Sequence, residues 1–472
     1  MNKIARIIMI MISAILTLAA INIKAGDGHQ ISIHFEDTEA PECYLAYHFG
    51  NRQYMEDTTD IDAEGVAVFA GEESLAPGLY LVVLPDDRNF ELIIDQNQHF
   101  SVHIDPDNFI STADFENSPS NTSFYAYLNF LRDKNPDQRE LEQALEKASQ
   151  GSRQQMEIQQ QLRAMDQDVR AFQDRIIEED PDGLLAHILK AQRDPDLPDP
   201  PRRPDGSEDV DAMYQIYKNQ YFNNIDFSDE RLLYTPVYHS RLRIFFNNVL
   251  IQHPDTIIQE AERILDKAGQ NDEVFEYTLW FITNNADHSQ MMGMDKVFVH
   301  MIDNYYTTDQ VDWVDEQQLR NLKERADDKR PLLLGEKAPE VTLYDPDKDA
   351  VSLHDIEAEY LILYFWDSDC PYCREATPKL KETYNELRRH GVRVIAMNTD
   401  ADQQKWIEAI ETYPDTWIHL HDIHNETTFM DDYNIYAIPQ IIILNAEHEI
   451  LAKDIGVENV GRFIRENMQK SR

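Results

Sequence analysis

A chain of 472 residues is too long for one ordinary core and predicts roughly two to four domains. Its 87 acidic against 43 basic residues give a formal charge of −44. That balance excludes binding to a nucleic-acid backbone and adhesion to anionic lipid, since both need clustered Lys and Arg. Lys3 and Arg6 precede an apolar run from Ile7 to Ile21, which reads as a signal peptide over residues 1–25, cleaved near Ala25. No cysteine follows that run before Cys43, so no lipid anchor is expected and the mature chain should be periplasmic, without stable membrane insertion. From 26 to 115 the pattern is short and alternating: "ISIHF", "CYLAYHF", "GVAVFAG", "GLYLVVL", "FELIID" and "FSVHI". Such runs, broken by Asp, Gly, Pro and Asn, predict a small antiparallel β-sandwich or barrel. Cys43, in one of these strands, reads as a buried inert thiol.

From 116 to 330 the period becomes helical. Ile158, Leu162, Met165, Val169, Phe172 and Ile176 form a seam on one helix face. Asp194–Ser207 ("DPDLPDPPRRPDGS") is a proline-rich breaker, and helices are predicted at Pro254–Lys267, Glu273–Asn284 and Asp295–Tyr305. From 331 to 472 the chain reads as α/β. "EVTLYDPDKDAVSL" predicts a hairpin and Leu361–Trp366 a buried central strand. Further strands are predicted at Val392–Met397, Trp417–Leu420, Gln440–Leu444 and Glu449–Lys453, with helices between them and a closing helix at Val457–Met468.

Two of the three cysteines, Cys370 and Cys373, sit where the central strand turns into a helix beginning at Pro371. Proline suits a first helical turn, where its missing N–H costs nothing. Cys370 then meets the positive end of the helix dipole, which favours thiolate. Cys373 lies one turn on, close enough to form a disulfide with it. This is the arrangement of a dithiol exchange centre, with an exposed attacker and a sheltered resolver. A zinc site would need about two more ligands, and a bridge closing so small a loop would stabilise little. No metal and no cofactor are expected.

"LILYFWDSDCPYCREATPKL", "GEKAPEVTLYD" and "YNIYAIPQIIIL" together resemble the thioredoxin superfamily, and within it the TlpA-like or redoxin thiol–disulfide oxidoreductases of bacterial envelopes. The resemblance covers about Leu334 to Asn467. It implies a thioredoxin-like domain over 331–472, a helix-kinking Pro378 and a cis-proline at Pro439, with the Ile438 backbone facing Cys370. Trp366, Asp369, Pro371 and Tyr372 would support the pair. The implied activity is reduction of disulfide-containing envelope proteins, with a membrane thiol reductase as electron donor. Asp369 stands where the family usually has an aromatic residue. Tyr364 occupies the position at which thioredoxin has a buried acid. Asp367 and Asp369 are expected to oppose thiolate formation at Cys370.

Two alternatives stand beside this reading. One is an envelope binding or assembly protein with a subordinate redox module. The other is a peroxiredoxin-like peroxidase, but "YFWDSDCPYC" lacks the Pro and Thr that family carries around its cysteine. His419, His421 and His424 read as polar edge residues. Asp345, Asp347 and Asp349 read as a hairpin turn, because Ala350 and Ile356 stand where a calcium loop needs Gly and Glu.

Overall fold

The computed structural model describes residues 28–306 and 311–470. The expected signal peptide lies outside them. The described residues fall into two compact units, one ending at Arg241 and the other beginning at Leu242. The helical stretch read from sequence as one region therefore contributes to both.

In the first unit, eight strands form two four-stranded sheets. They are β1 (His29–Phe35), β2 (Glu42–Phe49), β3 (Arg52–Asp60), β4 (Val66–Gly71), β5 (Gly78–Val83), β6 (Asn89–Ile94), β7 (His99–Ile104) and β8 (Asp114–Glu116). Their orders are β4-β1-β7-β8 and β3-β2-β5-β6. Alternation drives the fold: Ile31, Ile33 and Phe35 of β1 are buried, as are Phe100, Val102 and Ile104 of β7. Phe35 meets Phe90 of the other sheet edge-on, with ring centroids 6.4 Å apart. The expected sandwich is not wholly antiparallel, because β1 and β7 pair in parallel. Strand β3 is an edge strand with nearly every residue exposed. Cys43 is fully buried, and burial with Glu42 nearby pushes its thiol up to about 12.

Helices α1 (Phe109–Thr112), α2 (Pro119–Lys147), α3 (Arg153–Glu179), α4 (Leu184–Gln192), α5 (Val210–Gln220) and α6 (Pro236–Ile244) follow. Buried Asn121 of α2 closes the edge of β6, exchanging two 2.8 Å hydrogen bonds with the Ile93 backbone. The seam of α3 packs on α2, with Phe172 stacked on Phe130 at 4.7 Å. Asp95, Asp229 and Arg231 form a buried ion-pair group in this unit.

The second unit begins at Leu242, within α6, and continues with α7 (Pro254–Ala268), α8 (Asp272–Asp287), α9 (Asp295–Asn304) and α10 (Glu316–Lys329). Side-chain caps fix the starts of α8 and α10: Asn271 accepts from the Val274 amide, and Asp315 from those of Gln317 and Gln318. A seven-stranded mixed sheet follows, in the order β10-β9-β13-β12-β11-β14-β15. Its strands are β9 (Thr342–Tyr344), β10 (Ala350–Ser352), β11 (Tyr360–Trp366), β12 (Val392–Asn398), β13 (Ile418–His421), β14 (Gln440–Asn445) and β15 (Ile450–Lys453). Helices α11 (Pro371–Leu387), α12 (Gln403–Ile410), α13 (Phe429–Asp432) and α14 (Val457–Lys470) complete it.

All seven residues of β11 are buried, because one core lies on each face of the sheet. Ile362, Tyr364 and Trp366 face the core beneath α11 and α14, while Leu361, Leu363 and Phe365 face the other. Gly391 ends the turn after α11 at φ +79°. A Cβ there would stand 2.5 Å from the Glu359 side chain. The aspartate-rich segment is a hairpin turn, with the Asp349 amide donating to Asp345 at 2.9 Å.

Candidate functional site

Cys370 is the N-cap of α11, at the carboxyl end of β11. A buried strand feeding straight into a proline-started helix holds it there. Cys370 and Cys373 form a disulfide with Cα atoms 5.3 Å apart. Their burial differs: Cys370 keeps 9% of its surface exposed and Cys373 none. The Cys373 amide donates to Cys370 Sγ at 3.1 Å, so a free N–H of the first turn already points at this sulfur. The geometry favours negative charge on Cys370 once the pair is reduced.

The Ile438–Pro439 peptide is cis. The Ile438 carbonyl lies 3.7 Å from Cys370 Sγ, which brings the loop before β14 onto the pair. Around this contact Pro371 is exposed, and Tyr372 and Tyr436 are 72% and 83% exposed. Pro378 lies inside α11 on its exposed side, away from the sulfurs in sequence by more than a turn. Trp366 is buried, stacked on Tyr413 at 4.4 Å, and belongs to the core that also holds both cysteines. It backs the pair and presents nothing to solvent.

Asp369, expected to oppose thiolate formation at Cys370, has a counter-charge of its own. Lys405 of α12 stands 2.8 Å from its carboxylate, and that hydrogen bond holds Asp369 below the usual carboxylate range. The charge opposing thiolate formation is therefore partly neutralised by a residue distant in sequence. Asp367, Asp369 and Asp400 bring carboxylate oxygens within 4.8 Å of one another. Lys405 already supplies positive charge to that group.

Beneath Cys373 lies a hydroxyl cluster that the sequence reading missed. Thr377 donates to the Cys373 carbonyl at 2.8 Å. It also stands 3.0 Å from the Tyr364 hydroxyl and 3.2 Å from that of Tyr413. Burial raises both tyrosines above their usual range, so these groups stay neutral. Thr377 is one helical turn after Cys373, and that spacing was the available signal. Two of the three histidines are not edge residues: β13 is an inner strand, His421 stacks on Trp406 at 4.9 Å, and burial lowers His419. His424 lies past the end of β13 and is exposed.

Residues 334–453 match the AhpC/TSA family. The C-terminal domain is a thioredoxin-like oxidoreductase domain of that family. The thiol–disulfide oxidoreductase ResA of Halalkalibacterium halodurans is 26% identical over 122 residues, covering 26% of this chain and 68% of the relative. Sporulation thiol–disulfide oxidoreductase A of Bacillus subtilis is 30% identical over 98 residues, covering 20% of this chain and 58% of the relative. A solved domain of a possible thiol–disulfide isomerase from Cytophaga hutchinsonii is 36% identical, covering 30% of this chain and 99% of its own, with a TM-score of 0.28. A thioredoxin-like protein from Bacteroides caccae covers 57% of this chain and 97% of its own, at 18% identity and a TM-score of 0.45. The family match begins after α10, so the AhpC/TSA domain carries an added helical layer within its own compact unit. Among the described residues, no helix is long and apolar enough to cross a membrane.

Proposed function

We propose that this protein is an exported thiol–disulfide oxidoreductase that reduces protein disulfides through Cys370 and Cys373. The observation that carries this reading is the asymmetry of the pair: one cysteine capping a helix N-terminus and keeping 9% of its surface exposed, the other wholly buried one turn on. In the reduced state the Cys370 thiolate attacks one sulfur of a substrate disulfide. The substrate S–S bond breaks, a mixed disulfide forms, and the departing substrate sulfur takes a proton. Cys373 loses its proton and attacks Cys370 Sγ. The intramolecular bridge closes and the second substrate sulfur leaves as a thiol. Two electrons have then passed from the dithiol to the substrate. A second dithiol must return them. We assign that step to a membrane thiol reductase, and the substrates to disulfide-containing proteins of the periplasm. Pro439 and the Ile438 backbone would align the incoming chain as a short added strand.

The test uses single-cysteine variants of the full chain. Cys373→Ser should accumulate mixed disulfides and Cys370→Ser should form none. The reverse result exchanges the two roles. If neither variant traps a partner and the wild type does not reduce insulin, the reading fails. Turnover of hydrogen peroxide in place of insulin would favour the peroxidase alternative. An equilibrium potential nearer about −270 mV than about −120 mV marks a reductant.

A further inference from the structure

A cavity of about 560 Å³ opens in the second unit beside the reactive loop, within the roughly 300–1,000 Å³ span of ligand pockets. One wall is the loop itself, through Tyr436 and Ala437. The other wall comes from the added helical layer: Met291 and Met292 after α8, and Asp328 of α10. Ala437 adjoins Ile438, whose carbonyl touches Cys370 Sγ. An extended chain advances about 3.3 Å per residue. A polypeptide engaged at Cys370 therefore brings residues one or two positions from its cysteine to the cavity mouth.

The lining has a definite chemistry. Met291 is 47% exposed, and with Met292 and Tyr436 it gives the mouth an apolar rim. The cations of the lining are committed: Lys453 pairs with Asp295, and Arg325 and Lys329 with Asp287. Acceptors are left over. Asp295 Oδ1 is buried without a hydrogen-bond partner, and Asp328 is exposed at the rim. A buried acceptor left unpaired is costly until a donor reaches it. An apolar rim leading to spare carboxylate oxygens fits a long side chain with a cationic head. The formal charge of −44 draws basic polypeptides in the same direction.

We propose that this cavity is a substrate-recognition site for a basic side chain, Lys or Arg, lying one or two residues from the cysteine of the substrate disulfide. Its stem packs on Met291, Met292 and Tyr436, and its head pairs with Asp328 at the rim, with the unpaired oxygen of Asp295 behind it. The site deepens the dithiol reading above and rests on it.

The experiment offers the reduced full-length protein two peptides, each closed by one disulfide and differing only in Lys or Glu two residues from a cysteine. 2-Hydroxyethyl disulfide serves as a small neutral control. The Lys peptide should show a kcat/KM about tenfold higher, a ratio equivalent to about 1.4 kcal/mol. In Asp328→Lys the Lys-to-Glu ratio should fall to about twofold or less. Because the ratio is taken within one protein, any general loss cancels, and Asp328 lies on an exposed surface where the change should not unfold the chain. Equal rates for the two wild-type pairs, or an unchanged ratio in Asp328→Lys, would overturn the site. If the wild type turns over neither peptide nor 2-hydroxyethyl disulfide, the dithiol reading itself falls, and the site with it.

Discussion

Replacing Thr377 with valine removes one hydroxyl while nearly keeping the side chain's shape. That hydroxyl donates to the Cys373 carbonyl at 2.8 Å and stands 3.0 Å from Tyr364 and 3.2 Å from Tyr413. Three hydrogen bonds end with it, each worth about 1 kcal/mol net. Some of this is recovered. Tyr364 retains a 3.3 Å bond to the Cys373 carbonyl, and Tyr413 is only partly buried and can turn toward water. The added methyl group returns about 0.8 kcal/mol at most. The expected net loss is about 2 kcal/mol. All five tryptophans (Trp280, Trp313, Trp366, Trp406 and Trp417) lie in the second unit. Their fluorescence in urea therefore reports that unit alone. With a slope of about 3 kcal/mol per molar, the midpoint should fall by about 0.7 M, and Thr377→Ser should stay near the wild type. A valine midpoint within about 0.2 M of wild type, or a serine variant as weak as valine, would refute the hydroxyl cluster as a support for the pair.

Lys405→Ala frees the negative charge of Asp369, so the reduced pair should react more slowly with iodoacetamide at neutral pH, and Asp369→Ala should react faster; two shifts in the same direction would contradict the ion pair. Burial, with Glu273, Asp312 and Asp272 nearby, pushes Glu276 up to about 7. The folded state then holds a proton that the unfolded chain releases, so stability should decline as pH rises from about 4.5 to about 7, and Glu276→Gln should flatten that decline in the tryptophan-detected midpoint. Arg231→Ala leaves Asp95 and Asp229 without their shared cation and should cost about 3 kcal/mol, seen by calorimetry as one lowered transition while the tryptophan signal holds. Burial alone would raise Asp229, but hydrogen bonds from His187 and Arg231 outweigh it and hold it below the carboxylate range. Its stabilisation is thus present above about pH 3.8 and should be lost as pH falls through the folded value.

What could be read from the sequence follows the reach of each signal. β11 announced itself because seven consecutive buried residues leave an unbroken apolar run. Helices α7, α8 and α9 lay within a few residues of their expected spans, since caps and apolar spacing are local properties. β3 gave no signal, because a strand with no buried face carries no alternation. β8 is three residues long, too short to show a period. The parallel pairing of β1 with β7 depends on a connection across more than sixty residues of chain, beyond any local pattern. At the site, the cysteines and Pro371 were legible from spacing, and Pro439 from the resemblance. Lys405 beside Asp369 and Tyr413 beside Thr377 were not, because each contact joins segments more than thirty residues apart.

Strand β3 has a consequence for the protein in company with itself. It closes one side of its sheet with a row of backbone groups that no strand among the described residues uses. Such a row is a template on which a second copy could add its own strand. The residues that occupy it include Glu56, Asp57 and Asp60, and the strand is offset against β2 by an irregularity at Leu45 and Ala46. Two copies approaching side by side would bring those carboxylates together before any amide could pair. The acidity of this strand opposes such pairing, and does so only while those side chains remain ionised.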